Sequence, residues 1–140
     1  MSTNELAVLE ENSIHGHLPE ESVNRLVALG RAISDPIRLR MLSMMAQGRS
    51  CCDFSASGVP AEEDEEGICV CEFEEYFGMG QSKISYHVKK LKDAGLVREE
   101  RRGKWAFYSL DRDAAGELLG EAAERLLSSP VKRGAGDGCC

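Results

Sequence analysis

The chain has 140 residues, 42% hydrophobic and 29% charged, with a formal net charge of −7. That length fits one domain with loose ends, and no uncharged apolar run is long enough to span a bilayer. The acidic N-terminus MSTNELAVLEENS lacks the basic start and apolar stretch of a secretory signal, so the expectation is a cytoplasmic protein without a membrane partner.

Residues 1–18 show no sustained period and read as a flexible tail, whose His15 and His17 are more in keeping with a polar tail than with a metal site. From Pro19 a helix begins: Val23, Leu26, Val27 and Gly30 follow i, i+3, i+4, i+7, and Leu29 and Ile33 widen the stripe. Ser34-Asp35-Pro36 ends it and opens a second helix, with Pro36 in the first turn and Ile37, Met41, Met44 and Met45 on one side. Gln47-Gly48 stops that helix. Residues 50–67, SCCDFSASGVPAEEDEEG, read as an acidic, cysteine-containing loop insertion. A short helix over 69–77, a turn at Gly78-Met79-Gly80 and a longer helix over 81–94 follow, with Gly95 placed as a C-cap.

LVREERRGKWAFYSL then reads as two strands with a turn near Arg102-Gly103, and DRDAAGELLGEAAERLLSS as an amphipathic helix capped by Asp111 or Asp113. Gly116 and Gly120, one turn apart, fit either a close subunit contact or two tolerated glycines. Residues 130–140 read as a second flexible tail ending in Cys139-Cys140. The single domain therefore runs over 19–129.

A short helix, a glycine turn and a longer helix make a helix-turn-helix, and the hairpin after it makes a wing. The fold class is mainly α with a β-hairpin wing. Ile84, Val88 and Leu91 face the core, while Lys83, Tyr86, His87 and Lys90 form a second stripe, joined by Ser85 on the exposed side. Gln81 and Ser82 at the helix start suit base or phosphate contacts, and Arg101, Arg102 and Lys104 at the hairpin tip suit flanking backbone. The acidic total does not oppose this, because the charges are segregated. Residues 53–75 carry Asp53, Glu62, Glu63, Asp64, Glu65, Glu66, Glu72, Glu74 and Glu75 with no Lys or Arg, whereas 81–105 are mostly basic.

Six cysteines in a reducing compartment argue against a disulfide framework and leave metal binding, redox chemistry or plain packing. They fall in close pairs: Cys51-Cys52, Cys69-Val70-Cys71 and Cys139-Cys140.

With AISDPIRLRML, ICVCEF, GQSKISYHVKKLKDAGLV and RRGKWAFYSL in this order, the chain resembles the ArsR/SmtB family of bacterial winged-helix metalloregulators, of the arsenic-responsive type, over about residues 24–110. The resemblance implies a homodimer, joined through the N- and C-terminal helices, that represses operator DNA until a metal or metalloid releases it. It is not the pattern of an enzyme. Gly80 stands where the family often has a Ser cap, and the 50–67 loop is an insertion.

The resemblance carries Cys69 and Cys71 into the inducer site. The position where a third cysteine often follows is Glu74, leaving Cys51, Cys52, Cys139 and Cys140 as candidates, with the 51–52 pair favoured. Soft thiolates suit As(III) or Sb(III), with Cd(II) or Pb(II) as alternatives. A redox-sensing repressor that forms a disulfide is a further alternative. On a regular helix, residues two apart point about 200° from each other, so chelation by Cys69 and Cys71 is expected to distort or unwind the first turn, or to pull the loop down to it.

Overall fold

A few capping contacts set the boundaries of the elements in the computed structural model, which describes residues 18–52, 58–59 and 66–128. Helix α1, Glu20–Ile33, starts directly after Pro19. Asp35 caps α2, Pro36–Gln47: its carboxylate accepts from the Ile37 N–H at 2.7 Å and the Arg38 N–H at 3.3 Å. Pro36 contributes no N–H at the position where one would lack a helical partner. Gly48, at φ +90°, ends α2, and a single 3-10 turn, Arg49–Cys51, carries the chain into the insertion.

Beyond the insertion come strand β1 (Ile68–Cys69), α3 (Val70–Phe77) and α4 (Gln81–Asp93), with Gly78 in the left-handed region between the two helices. Strands β2 (Val97–Arg102) and β3 (Trp105–Leu110) pair in the order Val97 opposite Leu110 to Arg102 opposite Trp105. Helix α5, Arg112–Leu126, closes the described fold, capped by Asp111 accepting from the Ala114 N–H at 3.1 Å. The architecture is a winged helix-turn-helix: α3 and α4 form the helix pair and β2–β3 the wing.

The sheet has a third strand that the sequence pattern did not announce. Its order is β1-β3-β2, all antiparallel, with Ile68 opposite Tyr108 and Cys69 opposite Phe107. The helix expected from residue 69 begins one residue later, because Cys69 is extended (φ −81°, ψ 154°) and serves as the N-cap of α3. Its N–H donates to the Glu72 carboxylate at 2.8 Å, which closes the helix start.

The core gathers Met41, Phe73, Ile84, Leu91 and Phe107, all fully buried. Helix α1 divides its apolar residues: Leu29 and Ala32 turn inward, whereas Val27 and Ile33 stay exposed. On α5, Ala115 is buried, and Leu119 and Leu126 are exposed. The two helices are tied by Arg25, whose Nε and Nη2 donate to Glu121 at 2.9 and 2.8 Å. That bonding holds the Glu121 carboxyl down at about 2. A Cβ added at Gly116 or Gly120 meets open space, so neither glycine serves a close approach within this chain. Among the described residues, no helix is long and apolar enough to cross a membrane. His15, His17, Cys139, Cys140 and most of the insertion lie outside the described residues.

Candidate nucleic-acid interface and thiol site

Helix α4 has two faces of opposite character. Ile84, Val88 and Leu91 are buried, while Gln81, Ser82, Lys83, Ser85, Tyr86 and Lys90 are exposed. The Lys90 ammonium lies 5.4 Å from the Tyr86 ring centroid. Gly80 offers no side-chain cap, so the N–H groups of the first turn remain available to an anion.

His87 departs from the exposed stripe. It is 6% exposed, and its Nδ1 lies 3.0 Å from Arg38 Nη1. A guanidinium only donates, so His87 accepts there as a neutral ring. Burial lowers its pKa, partly opposed by Asp35, with Arg38 and Lys83 lowering it further. Arg38 also donates from Nε to the Ala32 carbonyl at 2.7 Å and from Nη2 to the Arg31 carbonyl at 2.9 Å. His87 thus braces α4 against the α1–α2 junction and is not presented to a groove.

On the wing, Arg101 is exposed, with Nε 3.3 Å from Glu99, and Lys104 is exposed beside the Trp105 ring. Arg102 is half-buried: its guanidinium lies 4.2 Å from the Phe107 ring centroid, Nε donates to Glu100 at 2.6 Å, and Nη2 donates to the Glu66 carbonyl. It fastens the end of the insertion to the wing. Of the three cations expected at the hairpin, Arg101 and Lys104 face outward and Arg102 is engaged.

The thiols occupy two neighbouring segments. Cys69 is buried in β1, and Cys71 is half-buried in the first turn of α3. Burial raises the Cys69 thiol above the ordinary 9.0, and the Cys71 thiol, a hydrogen-bonding neighbour, and the Glu72 carboxylate add to this; the Cys71 backbone N–H opposes it. Because Cys69 is extended, the 200° divergence of a regular helix does not apply, and the two side chains meet without unwinding α3. They line an open groove of about 450 Å³ whose other walls include Gln81 and Ser85 from α4 and Arg101 and Lys104 from the wing. The sole tryptophan, Trp105, lines it too.

Cys51 and Cys52 are half-buried at the end of the 3-10 turn, their sulfurs 3.0 Å apart. Burial, reinforced by the adjacent Cys52, pushes the Cys51 thiol up to about 12. Among the described residues, no three His, Cys, Asp or Glu side chains converge as a metal-binding group. The structure therefore brings together each pair but not all four thiols. Between them stands a contact that sequence reading missed. Arg49 Nη1 donates to the Gly67 carbonyl at 2.9 Å and to Glu72 Oε1 at 2.6 Å, and Nη2 donates to Glu72 Oε2. No local pattern links residues 23 apart, so only the fold reveals it.

Residues 63–99, from the end of the insertion through both helices to the first wing strand, match the model of the arsR family of bacterial regulatory proteins. Over these residues the winged helix-turn-helix is similar to the arsR family. The family is one of DNA-binding transcriptional regulators, not of enzymes. The chain is 43% identical over 72 residues to the arsenical resistance operon repressor of Bacillus subtilis, an alignment covering 51% of this chain and 65% of that one. It is 28% identical over 95 residues to an arsenic resistance transcriptional regulator of Pseudomonas putida, covering 68% and 59% respectively. The chain thus spans less than two thirds of either relative's length. It also superposes on the homodimeric winged helix-turn-helix DNA-binding domain of a Mycobacterium bovis protein, with a TM-score of 0.50, 21% identity, and coverage of 96% and 97%. At that identity the likeness concerns the fold alone.

Proposed function

We propose that this chain is an arsR-type transcriptional repressor that binds operator DNA as a homodimer and is released when As(III) or Sb(III) is captured by Cys69 and Cys71, with a third thiol from the Cys51–Cys52 pair. The observation that carries this is the groove in which the Cys69 and Cys71 side chains share walls with Gln81, Ser85, Arg101 and Lys104. An inducer seated there lies between the helix and the wing that face DNA. The exposed Val27 and Ile33 on α1, with Leu119 and Leu126 on α5, supply apolar faces for the second protomer.

The elevated thiols favour a metalloid over a divalent cation. Arsenous acid condenses with thiols, each As–OH leaving as water with the thiol proton, so no net proton is released. Cd(II) or Pb(II) must instead expel a proton from each thiol it binds, which is costly where Cys69 is raised and Cys51 sits at about 12.

The test is fluorescence anisotropy of the reduced protein on the DNA upstream of its own gene. Salt-sensitive binding, abolished by arsenite in the wild type and retained in Cys69→Ser, is the expected result. Indifference of the wild type to arsenite would refute the inducer assignment, and absence of DNA binding would refute the repressor.

A further inference from the structure

We infer that the Arg49–Glu72 ion pair is the positioning device that ties the turn carrying Cys51 and Cys52 to the segment carrying Cys69 and Cys71, so that an inducer can draw the two thiol pairs into one ligand set. The inference rests on the thiol-inducer reading above and goes beyond it by naming residues that are not ligands.

One guanidinium grips both ends of the insertion. Arg49 belongs to the turn that carries Cys51, and its acceptors, the Gly67 carbonyl and both Glu72 oxygens, flank Cys69 and Cys71. The pair is sheltered: the Glu72 side chain is 0% exposed and that of Arg49 11%. Planar, two-point pairing fixes orientation as well as distance, which a lysine in the same place would not do.

The Glu72 carboxylate does a second job, accepting the Cys69 N–H at 2.8 Å. A helix start needs only that acceptor, and a neutral side chain would serve. Burying a full charge with its partner is costly, and what the pair adds is a fixed relation between the two chain segments. Gly67 is locked as well. At φ +102°, an added Cβ would stand 2.9 Å from the Phe107 Cβ, so the gripped carbonyl cannot drift on a different residue type. Without the pair, the turn carrying Cys51 and Cys52 keeps its packing on the core but loses its direct tie to the α3 segment, and the effective concentration of its thiols there falls.

The test uses the reduced full-length dimer and Cd(II) alone as probe, since thiolate-to-Cd(II) charge-transfer absorption grows with the number of thiolates bound. Three proteins are compared with the wild type: Arg49→Met/Glu72→Gln, Cys51→Ser/Cys52→Ser and Cys69→Ser. The first removes both charges together and retains an oxygen for the Cys69 N–H. The expected result is that it loses the same share of absorption as the Cys51→Ser/Cys52→Ser protein and binds about 10- to 100-fold more weakly than the wild type. Its operator affinity without inducer stays unchanged. Wild-type absorption and affinity in that variant would overturn the clamp, while loss of signal in Cys69→Ser alone would leave the inducer reading standing. No charge transfer in the wild type would overturn the clamp, and the arsenite titration on operator DNA then decides the inducer reading by itself. Should the double variant fail to fold, Arg49→Lys keeps the charge beside Glu72 but not the two-point grip. It is expected to lose the same absorption, and full retention would again overturn the clamp.

Discussion

The pH dependence of ligand binding separates the proposed inducers. Cys69 is raised above 9.0 and Cys51 to about 12, so through pH 6–8 both are neutral thiols in the free protein. Each must lose its proton to bind Cd(II). The apparent Cd(II) affinity should then rise about tenfold per pH unit for each thiol proton that Cd(II) displaces, so the slope counts those protons. Arsenous acid exchanges hydroxide for thiol with release of water, so its affinity should be flat over the same range. Trp105 lines the groove and is the sole tryptophan, which provides the assay: its fluorescence is titrated with Cd(II) and with arsenite at pH 6, 7 and 8. Two slopes emerge from one set of samples. A Cd(II) affinity that does not change from pH 6 to 8 would mean that the thiolates pre-exist, and the preference derived for metalloids would fail. A parallel rise for arsenite would refute the condensation chemistry.

Four other outcomes follow from particular residues. His87→Leu strips the buried Arg38 Nη1 of its acceptor and should cost about 1–3 kcal/mol in thermal unfolding. It should leave the operator affinity of the folded protein unchanged, whereas Lys90→Gln should flatten the dependence of log affinity on log salt by about 0.9 for each phosphate it no longer neutralises. Gly67→Ala forces a left-handed alanine against the Phe107 Cβ and should destabilise by about 1–3 kcal/mol; an unchanged melting temperature would refute the close approach. Glu121 is held at about 2, well below its ordinary 4.5, so its bond to Arg25 stabilises the fold above the ordinary value and is lost as pH falls through the depressed one. The melting-temperature deficit of Glu121→Gln should therefore shrink as pH drops from 5 towards 2.

What the sequence disclosed was whatever local chemistry determines. Asp35-Pro36 marks a helix start because the cap and the missing N–H act within one turn. Ile84, Val88 and Leu91 mark a buried face because 3.6-residue periodicity requires no knowledge of the partner. The turn at Gly103 was legible from a glycine between two strand-like runs, and the structure has that glycine at φ +62°. The burial of His87 was within reach, since Ile84, His87, Val88 and Leu91 complete an i, i+3, i+4, i+7 set. Its polar character drew it to the other stripe, and only Arg38, on another helix, reconciles a buried imidazole with its surroundings. Strand β1 was beyond local signals: two residues have no period, and their partners lie across the helix-turn-helix at Phe107 and Tyr108. The thiol site was legible as chemistry through its cysteine pairs, but not as geometry. The extended Cys69, the half-buried Cys51 and Cys52, and the Arg49 grip all depend on residues distant in sequence.

In the proposed repressor, that extended cysteine changes the route by which an inducer would reach DNA. A thiol pair on a regular helix would act only through that helix and the one it supports. Cys69 instead lies opposite Phe107 in the wing's own sheet, while Cys71 opens α3 against α4. A centre that draws both sulfurs inward pulls on the wing and on the helix pair together. The groove between them narrows or widens with Gln81 and Ser85 on one wall and Arg101 and Lys104 on the other. The proposed dimer would present two such units at one spacing, so a small change within each would become a mismatch with both half-sites. Linkage then requires bound operator to weaken the inducer by the same factor that the inducer weakens the operator.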